Sequence, residues 1–105
     1  MDPCFSTHRM IVFKAECQVL GETYPFHSYL AFEPIVPWPI VVCTMVRGRV
    51  EHIQTNDNER RGGLALEMLL GLSEYLKVTK PLDGESFTEE GEALFAAYRK
   101  VFKPK

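Results

Sequence analysis

Hydrophobic and polar positions follow two different periods along this chain. From Arg9 to Thr55 the sequence is rich in Val, Ile, Phe, Tyr and Thr and is punctuated by Pro and Gly. That texture predicts strands over Arg9–Leu20, His27–Glu33, Ile40–Val46 and Arg49–Thr55. Gly21-Glu22-Thr23 supplies a first turn, Pro34 to Pro39 a kinked connection, and Arg47-Gly48 a link short enough for a tight hairpin. Short links between consecutive strands favour an antiparallel meander.

From Asn58 onward the period becomes helical. Ala65, Leu69, Leu72 and Leu76 share one face, Leu66 and Leu70 widen it, and Glu67 and Glu74 mark the side expected to be solvated. The helix is expected to run from Leu64 to Lys77, with Asn56 or Asn58 as its cap and Glu59 in its first turn. Val78-Thr79-Lys80-Pro81-Leu82 reads as a short strand and Asp83-Gly84 as a turn. A second helix is predicted from Thr88 to Phe102, capped by Ser86 or Thr88, with Leu94, Phe95, Tyr98, Val101 and Phe102 inward. The result is an α+β domain: a four-stranded antiparallel meander, a central helix, a short strand and a C-terminal helix.

At 105 residues the chain holds one core and one domain, residues 1–105. A formal net charge of -2 argues against a general binder of nucleic acid or anionic membranes. The longest apolar run, Ile35 to Val46, is broken by Pro37, Pro39 and Thr44 and is too short to span a bilayer. Met1-Asp2-Pro3-Cys4 has neither the basic nor the apolar region of a signal peptide. Three cysteines without paired spacing suit a reducing compartment, so the cytoplasm is the expected location. No cluster has metal spacing, and Cys43 on its strand reads as a small core residue. Trp38, between Pro37 and Pro39, reads as a cap on one end of the core, with a recognition aromatic on a rigid loop as the alternative.

The densest candidate chemistry is Arg60-Arg61-Gly62-Gly63-Leu64-Ala65, at a strand-to-helix junction. Glycine lets backbone approach a phosphate, the free N–H groups of a helix start point at it, and the helix dipole favours negative charge there. The structural alternative is a tight turn with a solvated, arginine-bearing helix start.

The Arg60-x-x-Gly63-x-Ala65 junction resembles the signature of the GNAT superfamily of acyl-CoA-dependent N-acetyltransferases, which joins a strand to the central helix. Ala97-Tyr98-Arg99-Lys100-Val101-Phe102 is similar to the family's Phe-Tyr-x-Lys-x-Gly-Phe ending, and the likeness covers Ile40 to Phe102. Three features depart from the family. Arg61 stands where Gly is common, the glycine of the terminal motif is missing, and no segment corresponds to the two helices usually found between the first two strands. The chain resembles a small or truncated member.

The resemblance implies acetyl-CoA, or a related acyl-CoA, as cofactor and an unidentified amine as acceptor. Backbone N–H groups of Arg61, Gly62, Gly63, Leu64 and Ala65, beside Arg60, would hold the pyrophosphate, and pantetheine would pair near Ile53 and Thr55. Amine acylation needs a base to take the ammonium proton and is helped by an acid for the departing thiolate. Glu51 is the first choice of base, His52 the second, and Tyr98 matches the family's acid. The alternative reading is a non-catalytic GNAT-fold module for binding or oligomerisation. Exposed strand edges and a broad apolar helix favour a homodimer.

Overall fold

The computed structural model describes residues 2–17, 26–55, 63–84 and 88–103. In chain order the elements are β1 (Phe5–Ser6), β2 (Ile11–Cys17), β3 (Phe26–Phe32), β4 (Val41–Val46), β5 (Arg49–Thr55), α1 (Leu64–Leu76), β6 (Asp83–Gly84) and α2 (Glu89–Val101). All six strands form one sheet in sequential order. β1 to β5 are an antiparallel meander, and β6 joins β5 in parallel through Arg49↔Asp83 and Val50↔Gly84.

Three of the long strands, β3, β4 and β5, fall within a residue of where the alternation puts them, and β2 occupies the Ile11–Cys17 part of the Arg9–Leu20 expected; Leu20 and the Gly21-Glu22-Thr23 turn lie outside the described residues. The β4–β5 hairpin turns on Arg47 and Gly48, both at positive φ (53° and 78°), the geometry of a primed turn whose twist matches that of the strands. Two features of the sheet differ from expectation. Phe5–Ser6 adds an edge strand too short to leave a period-2 signal. The last strand is Asp83–Gly84 rather than Val78–Leu82, so the expected turn is itself the strand. Gly84 is needed there because a Cβ would sit 2.6 Å from Phe95 Cε1.

Register sorts the strand side chains onto two faces. Val12, Tyr29, Ala31, Val41, Cys43, Met45 and Val50 are buried on the face that carries both helices. α1 lies against β1, β4 and β5, and α2 packs against α1. α1 buries Leu64, Met68, Leu69, Leu72 and Ser73, while Leu76, expected inside, is 37% exposed. Ser73 is buried with its hydroxyl satisfied, donating to the Leu69 carbonyl at 2.8 Å and bonding the Tyr98 hydroxyl.

Tyr98 is fully buried, and its hydroxyl also accepts the Leu82 N–H at 2.8 Å. One phenol therefore joins α2 to α1 and to the chain entering β6. Phe95 and Tyr98 are the buried residues of α2. Leu94 and Phe102 pack partly against the core, whereas Val101 is 47% exposed. Thr88 is the α2 cap and accepts the Gly91 N–H at 3.0 Å; Ser86 lies outside the described residues. Trp38 does not cap the core but is 56% exposed, in the same loop as Ile35, which sits at φ 73° fully in solvent.

Tyr98→Phe, which strands the buried Leu82 N–H, is expected to cost about 1–3 kcal/mol of stability. Gly84→Ala, which drives a methyl into the Phe95 ring, is expected to cost a similar amount, about 1–3 kcal/mol. Urea denaturation checks both: the midpoint should fall with the m-value unchanged.

Candidate functional site

α1 starts at Gly63, which takes the left-handed conformation (φ 73°, ψ 30°), and no side chain caps the helix there. The Gly63 carbonyl accepts the Glu67 N–H at 2.9 Å, closing the first turn. A Cβ at position 63 would meet only Leu66 Cβ, at 4.0 Å. Glycine is therefore demanded by the backbone angle, not by crowding. Leu64 is buried and Ala65 half-buried, so this stretch offers backbone N–H groups outward rather than side chains. Asn56, Asn58, Glu59, Arg60, Arg61 and Gly62 lie outside the described residues.

Because β5 and β6 are parallel, α1 is the crossover between them. Its N-terminus lies toward the carboxyl end of β5, the end of a parallel unit where ligands are bound. Ile53 and Thr55 are half-buried on the helix-bearing face, opposite Cys43 and Val41. β6 pairs with Arg49 and Val50, and among the described residues no strand takes the outer edge of β5 from Glu51 to Thr55.

Glu51 occupies a β-bulge. Val50 pairs with Met45 and His52 with Thr44, which leaves Glu51 as the extra residue, exposed to solvent. Sequence alternation read this strand as regular and carries no sign of the bulge. His52 is exposed on the helix-free face, where its Nε2 lies 3.2 Å from Gln54 Oε1. Tyr98 sits elsewhere, enclosed between the helices with its hydroxyl in the core hydrogen bonds described above.

Glu67, expected on the solvated side, is instead held beside the helix start. Its Oε2 accepts from the Thr7 hydroxyl and from the Arg9 N–H (3.0 Å), and its Oε1 pairs with Arg9 Nε at 2.9 Å. Thr7 Oγ1 in turn accepts the Met10 N–H at 3.1 Å. Burial alone would raise the Glu67 pKa; the bonds from Thr7 and Arg9 and the Arg9 charge outweigh it and hold the carboxyl below its ordinary range. Arg9 also offsets a negative charge that would otherwise stand one turn from the anion-favouring helix start. The signal for this contact in sequence is slight, a Thr-x-Arg near the N-terminus and a Glu far along the chain.

A groove of about 630 Å³ opens at the other end of the helices, lined by Leu70, Ser73, Glu74, Lys77, Val78, Val101, Phe102 and Lys103. Along α1 it lies roughly 20 Å from Gly63, at 1.5 Å per residue. Tertiary convergence of two helix ends creates it, and no local motif announces it. On the sheet, Lys14 Nζ and His27 Nδ1 approach Glu16 Oε1 at 3.8 and 3.4 Å. Cys43 is fully buried, and burial pushes its thiol pKa up to about 12, which leaves it an unreactive core residue. Among the described residues no group of three or more His, Cys, Asp or Glu could hold a metal ion, and no helix is long and apolar enough to cross a membrane.

Comparison with known proteins returns no match: no family model, no curated protein and no solved structure matches this chain.

The Glu67 contact has a pH signature. A carboxyl depressed in the folded state adds stability above its unfolded pKa, about 4.3, and loses it as pH falls through the lower folded value. Glu67→Gln is expected to lower stability by about 1–2 kcal/mol near neutral pH. The gap to the parent should close as pH falls below about 4. Urea midpoints measured across acid pH check it: a gap that stays constant would show that the carboxylate charge contributes nothing.

Proposed function

We propose that this protein binds an acyl-coenzyme A, with the pyrophosphate on the backbone N–H groups at the start of α1. In this reading it is a small GNAT-like protein whose transfer chemistry, where it occurs, moves an acetyl group to an amine. The observation that carries the reading is Gly63: a left-handed glycine, open to solvent, at a side-chain-free helix start inside a strand–helix–parallel-strand unit. Arg60 and Arg61 precede it in sequence. The outer edge of β5 at Ile53 and Thr55 offers backbone groups to a pantetheine amide, and Glu51 or His52 is the base in the acylating form of the proposal.

One observation favours binding without transfer. The Tyr98 hydroxyl, the acid in the family resemblance, is fully buried and bonded to Ser73 and Leu82, so releasing it toward a thiolate means breaking core hydrogen bonds. In that second reading the protein is an acyl-CoA-binding or oligomerisation module.

Calorimetric titration with acetyl-CoA, using desulfo-CoA and ADP as controls, tests the site. Micromolar affinity is expected, weakening about tenfold or more, ~1.4 kcal/mol, in Gly63→Val. Gly63→Asn, which tolerates the left-handed angle, should keep the fold and separate lost binding from a strained helix start. No heat at millimolar acetyl-CoA, or undiminished binding in Gly63→Val, overturns the site. An amine-acceptor screen with Tyr98→Phe then separates the two readings, since only the acylating form predicts turnover.

A further inference from the structure

The groove at the carboxyl ends of the two helices plays no part in the acyl-coenzyme A reading, yet it has the size of a ligand pocket. Its volume, about 630 Å³, lies within the roughly 300–1,000 Å³ of small-molecule sites. α1 contributes Leu70, Ser73, Glu74 and Lys77, the chain leaving it contributes Val78, and the end of α2 contributes Val101, Phe102 and Lys103. Leu70, Val78 and Phe102 also pack against the core, which anchors the apolar part of the lining. Val101 stands beside them, 47% exposed.

Two features of the lining select the chemistry of an occupant. The first concerns its polar groups. The Ser73 hydroxyl is already engaged within the protein, donating to the Leu69 carbonyl at 2.8 Å and bonding Tyr98. The helix ends are closed by backbone: the Ser73 and Glu74 carbonyls accept the Val78 and Lys77 N–H groups, and the Tyr98 carbonyl accepts that of Phe102. A polar body would find few partners there to replace its water, whereas a hydrocarbon chain gains from burial. The second is charge. Lys77 and Lys103 come from different elements and face the single carboxylate of the lining, Glu74. Among the described residues neither ammonium group takes part in an ion pair. Lys77 also holds the left-handed cap of α1 (φ 55°, ψ 41°), a conformation in which glycine is the favoured residue. A lysine kept at a disfavoured angle fits a side chain that acts at the groove.

We propose that this groove binds an aliphatic carboxylate, a medium-chain fatty acid. Its chain lies along Leu70, Val78, Val101 and Phe102, and its carboxylate meets Lys77 and Lys103. Two ammonium groups less one carboxylate leave the lining with a net charge of +1, the complement of one carboxylate head and unfavourable to an amine. A concave site of this volume suits a single small molecule rather than the plane of a bilayer. The proposal is independent of the acyl-CoA reading, whose site lies roughly 20 Å away along α1.

Titration of the isotope-labelled full chain with decanoate, followed by NMR, tests it, with decanol as an uncharged probe of the same chain length. Decanoate is expected to shift the Leu70, Val78, Val101 and Phe102 amides to saturation and to bind about tenfold more tightly than decanol. Lys77→Gly and Lys103→Gln should each weaken decanoate about threefold, the size of an exposed ion pair, and leave decanol unchanged. Lys77→Gly should also unfold at the parent's temperature or above it, because glycine suits the left-handed cap. Lost binding is thereby separated from lost folding. Equal affinity for the two probes, undiminished decanoate binding when both lysines are replaced, or shifts confined to another region overturns the proposal. So does a ligand-free dimer of twice the 12.0 kDa monomer mass that Val101→Glu splits, since a second copy would then fill the groove.

Discussion

The buried hydroxyl of Tyr98 is the point at which the helical layer is fixed to itself and to the sheet. It bonds Ser73 of α1 and accepts the N–H of Leu82, the residue before β6. An unpaired phenol or peptide N–H at that depth would be costly, so α1, α2 and the approach to β6 settle their relative positions by satisfying one another. The consequence reaches the sheet. With Leu82 held, Asp83 and Gly84 fall beside Arg49 and Val50, and the glycine lets Phe95 close over them. The parallel pairing of β6, which makes α1 a crossover and gives its start a carboxyl-end location, depends on that arrangement.

The two ends of α1 present different chemistry for the same reason. At its start the helix offers backbone donors around an open glycine, with Glu67 already neutralised by Arg9. At its end Lys77 takes a left-handed cap whose N–H returns to Ser73 and Glu74 carbonyls, and α2 finishes nearby to leave an apolar groove with lysines on its rim. The open helix start and the apolar groove therefore lie at opposite ends of α1.

Where the sequence was a good guide, a strong local pattern coincided with the final burial. The long strands, the Arg47-Gly48 hairpin, the α2 cap at Thr88 and the inward Phe95 and Tyr98 all follow from period and turn chemistry within a few residues. What it hid was tertiary. Two-residue strands leave no period, so nothing in the sequence marks β1, and Asp83-Gly84 reads as a turn. Ser73 is buried with its hydroxyl bonded to Tyr98, far along the chain, while Leu76 is left partly exposed. Glu67 looked like a solvated charge because its partners, Thr7 and Arg9, come from the other end of the sequence. The bulge at Glu51 is invisible in a strand that alternates acceptably on either register. At the candidate site, the motif marked Gly63 and its neighbours, and the structure added the reason for glycine there: the left-handed angle rather than lack of room.

The clasp between the N-terminal segment and α1 bears on how the chain assembles. Thr7 and Arg9 meet Glu67 across separations of 60 and 58 residues, whereas β2 to β5 pair only with their immediate neighbours in sequence. The hairpins close short loops, while the contact of the first ten residues with the helix closes a long one. The beginning of the chain thus has two kinds of partner, β2 close by in sequence and α1 far along it. Closing that long loop costs more chain entropy than zipping a hairpin, and the Arg9–Glu67 pair and the buried Met10 side chain are what the folded chain holds against it.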